Sequence, residues 1–180
     1  MKSMLTACDD YQPEERKRIL AGIPRESLDR IAVASRTDWL DAELVIQIDV
    51  GLHEELGDDG LVEFWRRFTR SASRIPILKP VAEGIMRLFA APPRVFGMLP
   101  RAWGMLTRDM GTIDVDTNEK RRVIVLRMVD VPPLSRPELY NLGNLGSYRG
   151  MLDLLGTPGE VVADPSRIAD GEFRFEIRWE

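Results

Sequence analysis

The spacing of apolar residues changes from helical to alternating near Gly111, and that change divides the chain. In the first part, helices are punctuated by Gly and Pro. Pro13, followed by Glu14 and Glu15, opens a short helix that ends near Gly22-Ile23-Pro24. Proline suits a first turn, and acids suit the positive end of the helix dipole. A second helix begins near Ser27, whose hydroxyl could cap it, and carries Leu28, Ile31 and Ala32 on one side. Leu44, Ile48 and Leu52 recur every four residues and predict a helix running to Gly57. The alternation Val45-Ile46-Gln47-Ile48-Asp49-Val50 also suits a strand. Asp58-Asp59-Gly60 punctuates this run, after which Leu61, Phe64, Trp65 and Phe68 fall at i, i+3, i+4 and i+7. Pro76 and Pro80 introduce a helix with Val81, Ile85, Leu88 and Phe89 on one stripe. Pro92-Pro93 breaks the chain, and Val95, Leu99, Trp103 and Leu106 mark one more helix with a kink point at Pro100.

Beyond Gly111 the period is two. Ile113 and Val115 alternate with Asp114 and Asp116, and Asp116-Thr117-Asn118-Glu119-Lys120 reads as a hairpin turn. Arg122 to Val129 follows as a mostly apolar strand, as if buried on both faces, and Val131-Pro132-Pro133 ends it. Ser135 is placed to cap a helix from about Pro137 to Leu155. Its Gly143, Gly146 and Gly150 each weaken it by roughly 1 kcal/mol against Ala, which calls for close approach of a backbone or a ligand. Gly156-Thr157-Pro158-Gly159 stops it, Glu160 to Ala163 forms a short strand, and Asp170-Gly171 a turn. In Phe173-Arg174-Phe175-Glu176-Ile177-Arg178-Trp179 apolar and charged residues alternate without a slip, so one face meets the core. The expectation is an α+β fold in one domain over 1–180. A mainly helical part, 1–110, precedes a β-β-α-β-β unit, 111–180, with a four-stranded antiparallel sheet.

Composition narrows the function classes. The chain has 180 residues, enough to bury roughly 70% of its unfolded surface. Its net charge of −4 gives no basic footprint for nucleic acid. One cysteine, Cys8, excludes an intramolecular disulfide framework, and one histidine, His53, excludes any site needing two. No apolar run approaches the roughly 20 residues of a membrane span, and the N-terminus lacks a secretory apolar stretch. A cytoplasmic protein is expected.

The order of elements resembles the superfamily of haem nitric-oxide/oxygen-binding (H-NOX) domains, which also holds the 4-vinyl-reductase-type domains and the TRAPP trafficking subunits. Within it, the chain is similar to a family of unknown function found as many paralogues in myxobacteria. Four stretches carry the likeness: Leu99-Pro100-Arg101-Ala102-Trp103, Asp109 to Val115, Leu145 to Asp153, and Phe173 to Trp179. The resemblance covers residues from about 60 to 180 well and the N-terminal third loosely. It implies a pocket between the helical part and the sheet. It also implies that haem binding would need a proximal His on the helix before the first strand. Val95 to Arg108 holds no His, Cys or Tyr. Haem-binding members further carry Tyr-x-Ser-x-Arg after the second strand, where this chain reads Met128-Val129-Asp130-Val131-Pro132. No cofactor is therefore expected.

The remaining chemistry-bearing residues mostly read as surface. His53 lies among acids, Cys8 has no basic neighbour in sequence to activate it, and Asp114, Asp116 and Glu119 fit a solvated strand face. Asp164 and Asp170 flank the last loop, and Arg66, Arg67, Arg70 and Arg74 crowd one helix as a basic, solvated face. Nothing in composition or spacing supports an enzyme. Two readings stand. One is a ligand-binding or sensory module with a pocket for a small apolar molecule, bounded by Phe89, Phe96, Trp103, Tyr140 and Tyr148. The other is an interaction or adaptor module, a homodimer or a subunit with a protein partner, in which the same residues interlock as a filled core.

Overall fold

The structure, a computed structural model, describes residues 5, 7–35, 38–71 and 91–180. The helix expected on Val81, Ile85, Leu88 and Phe89 lies outside the described residues, as does Arg74. The described elements run α1 (Pro13–Ala21), α2 (Arg25–Val33), α3 (Ala42–Arg70), α4 (Pro92–Gly97), α5 (Leu99–Leu106), β1 (Thr112–Asn118), β2 (Val123–Val129), α6 (Pro137–Leu154), β3 (Gly159–Asp164) and β4 (Phe173–Trp179). A 3-10 turn, Cys8–Asp10, precedes α1, and a second, Pro165–Asp170, joins β3 to β4. The strands form one antiparallel sheet in the order β1-β2-β4-β3. This is the expected α+β arrangement.

α3 is not one rod. Gly57 adopts φ 68° and ψ −173°, outside helical space, and so divides the run into two arms. Asp49 and Trp65 lie eight residues to either side of it, yet the Trp65 indole N–H donates to Asp49 Oδ1 at 2.8 Å. A continuous helix would hold those residues about 24 Å apart, so the chain must reverse at Gly57. The 42–56 arm is helical despite its alternating stretch, and Asp58-Asp59-Gly60 continues the helix beyond the reversal.

Two cores result. Ile19, Ile31, Ile48, Leu52, Leu61 and Phe64 pack among the N-terminal helices with Leu139 of α6. The inner face of the sheet supplies Ile113, Ile124, Leu126, Met128, Val161, Phe173, Phe175 and Ile177, covered by Tyr148 and Leu152 of α6 and Phe96 of α4. α6 belongs to both, and its contact with α3 is the largest between described elements. Its glycines explain why. A Cβ at Gly146 would stand 2.2 Å from the Val62 carbonyl oxygen, and one at Gly150 would stand 2.5 Å from that of Arg66. The partner required by the glycine stripe is the α3 backbone.

The structure departs from the sequence reading at several places. Ser27 does not cap α2, which starts two residues earlier after Pro24; its hydroxyl hydrogen-bonds Gln47 on α3. Ser135 does not cap α6 either. Its N–H and Oγ donate to the Glu43 carboxylate at 3.1 and 2.7 Å, tying α3 to the loop before α6. The stretch from Val95 to Leu106 forms two short helices rather than one, and Leu106 is exposed. The hairpin turn falls after Asn118, so Arg121 and Arg122 belong to it. β2 is fully buried on one face only, because Val123, Val125 and Val129 are partly exposed and Arg127 is exposed.

Candidate functional site

The pocket residues named from sequence separate into contacts of the sheet core. Phe96 and Tyr148 meet with ring centroids 6.2 Å apart, and Tyr148 meets Phe175 edge-on at 4.9 Å. Tyr140 packs edge-on against Phe173 at 5.6 Å, one position along the same face of β4. Trp103 packs against this cluster and donates its indole N–H to the Met110 carbonyl at 3.4 Å. Burial drives the Tyr148 phenol far above its ordinary pKa, and its hydroxyl reaches Met128 Sδ at 3.6 Å. Phe89, the fifth, lies outside the described residues.

The other candidates disperse. His53 Nε2 stands 2.6 Å from Asp58 Oδ1, where the α3 arms meet. Asp114, Asp116 and Glu119 are exposed, and Asp164 accepts from the Ser166 N–H that opens the 3-10 turn. Among the described residues no group of acidic, His or Cys side chains is gathered to hold a metal ion. Arg66 forms a bidentate pair with Asp153 at 2.6 and 2.9 Å, and Arg67 pairs with Glu63. Both arginines stay largely exposed, as expected of a solvated face, and Arg66 alone also ties α3 to α6. Cys8 is buried in the helical core, and burial, with Asp9 adding to it, pushes its thiol up to about 11.

Two groups not singled out from sequence are buried polar side chains facing the α3–α6 packing region. Asp49 is 1% exposed, and its Oδ2 has no hydrogen-bond partner among the described residues. Loss of water raises its carboxyl to about 8, against the opposing pull of the Trp65 hydrogen bond. Asn141 on α6 is 6% exposed, and its Oδ1 likewise has no hydrogen-bond partner among them. Buried polar atoms are normally bonded, so each such atom needs a reason. An acid inside the apolar run from Val45 to Leu52 was the available signal for Asp49; Asn141 had none.

Asn141 also lines a cleft of about 370 Å³. Its apolar wall comes from both cores: Leu139 and Leu142 from the helical one, and Leu145, Ala163 and Ile168 from the sheet. The hydrogen-bonded His53 and Asp58 and the Arg136–Glu138 ion pair also line it. A small-molecule site has this composition, mostly apolar with a few placed polar groups. Phe96, Trp103, Tyr140 and Tyr148 do not line it.

Known structures share this arrangement. The Fe(II) unliganded H-NOX protein from K. algicida matches with a TM-score of 0.67 over 99% of this chain and 94% of its own, at 13% identity. An oxygen-binding H-NOX domain related to soluble guanylate cyclases matches with a TM-score of 0.64 over 99% and 92%, at 14% identity. The fold is H-NOX-like. No family model and no curated protein sequence matches the chain.

An H-NOX fold implies haem, and among the described residues those at the two places where the resemblance would put its ligands do not fit one. Haem iron needs an axial side chain. α5, which precedes β1, turns Trp103 toward the sheet core and carries no His, Cys or Tyr. The sole histidine is engaged with Asp58, where the arms of α3 meet. At the end of β2 and just beyond it, Met128 and Val131 are buried apolar side chains and Asp130 is an exposed acid. None of these can hold a propionate by charge.

Proposed function

We propose that this chain is a non-catalytic ligand-binding or sensory module on the H-NOX-like fold that works without haem and takes a small apolar molecule. The observation that carries the reading is the mostly apolar 370 Å³ cleft where the helical and sheet cores meet. Its volume lies within the range usual for small-molecule sites. The absence of iron-binding and propionate-binding side chains at the expected places supports a ligand other than haem. The module is expected to act in the cytoplasm. Among the described residues, no helix is long and apolar enough to cross a membrane.

A panel of phenols, alcohols, amines, fatty acids and tetrapyrroles, followed by thermal shift and Trp fluorescence, tests this reading. At least one apolar class should raise the melting temperature of the full chain in a saturable way. A panel with no effect rejects the sensor. The second reading, an interaction module or homodimer with a filled core, is favoured by the ring contacts of Phe96, Tyr148 and Phe175, which leave those side chains packed on one another. Native mass spectrometry separates the two: co-purified small-molecule mass supports the ligand module, and a ligand-free oligomer supports the adaptor.

A further inference from the structure

We infer that the ligand of this module is an elongated, flexible hydrocarbon chain, held in a two-lobed groove whose dividing wall is Ile168. The inference rests on the ligand-module reading and names its ligand class. Ile168 lines the 370 Å³ cleft and also a second one of about 300 Å³, so its side chain stands between them. The two clefts meet again at the start of α6, where Pro137 lines the second and its neighbours Arg136 and Glu138 line the first. Neither is enclosed, so a chain can pass over Ile168 from one lobe to the other.

The lining says what can lie there. Val131, Leu134 and Phe173 line the second lobe together with Pro132, Pro133 and Pro137, and proline has no N–H to donate. The charged side chains of both lobes already have partners: His53 with Asp58, Arg136 with Glu138, and Asp170 with Arg167. With no unmatched charge offered to a ligand, the attraction is apolar contact, which grows with the length of chain buried. The divider itself is held in place. Asp164 Oδ1 accepts from the Ser166 N–H at 3.0 Å, and the Gly171 N–H donates to the Ile168 carbonyl at 3.0 Å. Arg167 pairs with Asp170 and Glu172 along the same turn. The groove therefore keeps a constriction at mid-length. A compact ring stops at it, while a chain one methylene wide crosses it.

The experiment titrates n-butanol, n-hexanol, n-octanol and n-decanol into the full chain, with cyclooctanol as the compact counterpart of n-octanol. Affinity is read by thermal shift, and location by amide chemical shifts. Binding should tighten by about three-fold per methylene up to n-decanol, and n-octanol should exceed cyclooctanol by about ten-fold. n-Butanol should perturb one lobe, and n-decanol both, residues 139–145 together with 131–134. Ile168→Trp raises the divider, and Ala169→Phe fills the second lobe from an exposed position on the same turn. Each should weaken n-decanol by about ten-fold or more and leave n-butanol unchanged. Ile168→Ala lowers the divider and should cut the preference for n-octanol over cyclooctanol by about three-fold. If Ile168→Trp does not fold, Ala169→Phe still decides the matter. n-Decanol binding no tighter than n-butanol, or an advantage unchanged in both filling variants, overturns the two-lobed site. Alcohols that fail to bind while a compact compound of the wider panel does overturn this inference alone and leave the ligand module standing.

Discussion

Replacing Asp49 by asparagine changes one atom of a side chain that is 1% exposed and isolates the energetic effect of its buried acid. The folded carboxyl titrates near 8, against an ordinary value of 3.8, because burial penalises its charged form. In the unfolded chain it ionises near 4, as exposed carboxylates do. Between these values the folded state holds a proton that the unfolded state has lost. Stability therefore falls as pH rises through that window, and the penalty is complete above about 8. At about 1.4 kcal/mol per pH unit, the interval from 3.8 to neutrality corresponds to about 4 kcal/mol as an upper estimate. The asparagine carbonyl can still accept from Trp65, and the amide never ionises. Asp49→Asn should thus stabilise the protein by about 2–4 kcal/mol at pH 7, roughly 5 °C or more in Tm for a chain of this size. The gain should shrink below about 1 kcal/mol near pH 4.5. Urea denaturation of both proteins at pH 4.5, 6, 7 and 8.5 measures the difference, in which the titration of all other groups cancels. A difference that does not vary with pH, or a destabilised variant at pH 7, refutes the argument.

Other perturbations test the packing. Phe175 is fully buried and Arg174 is exposed on the opposite face of β4, so Phe175→Ala should cost roughly 3–5 kcal/mol and Arg174→Ala about none in chemical denaturation. Gly146→Ala forces a methyl against the Val62 carbonyl, and the chain should lose about 2 kcal/mol or more. Gly104→Ala, where a Cβ meets nothing within 4 Å, should instead gain roughly 0.5–1 kcal/mol in the same assay. Breaking the half-exposed Arg66–Asp153 pair should cost about 1 kcal/mol or less, with a double-mutant cycle reading the coupling.

Much of the sheet was legible because its residues obey one strong rule. Phe173, Phe175 and Ile177 alternate with charged residues, and the structure places them face-inward against α6. The α6 glycines were also readable as a demand for close approach, though sequence could not say that Val62 and Arg66 supply the opposing backbone. What escaped is tertiary. Ser27 and Ser135 have local cap chemistry, but partners distant in sequence, Gln47 and Glu43, hold their hydroxyls. A break at Gly57 was legible, but the folding back of one arm on the other, which brings Trp65 to Asp49, was not, because it is a tertiary contact. The cleft was invisible for the same reason. Leu139, Leu142 and Leu145 have the spacing of ordinary core residues, and only the meeting of two cores leaves space beside them.

The central claim is an H-NOX-like fold that serves a ligand other than haem. An absorbance titration of the purified full chain with ferrous and ferric haem tests it most directly, alongside His53→Ala, which removes the sole histidine. The account predicts the spectrum of unbound haem at every ratio, identical for the two proteins. A saturable Soret shift at one haem per chain, lost in His53→Ala, would contradict it.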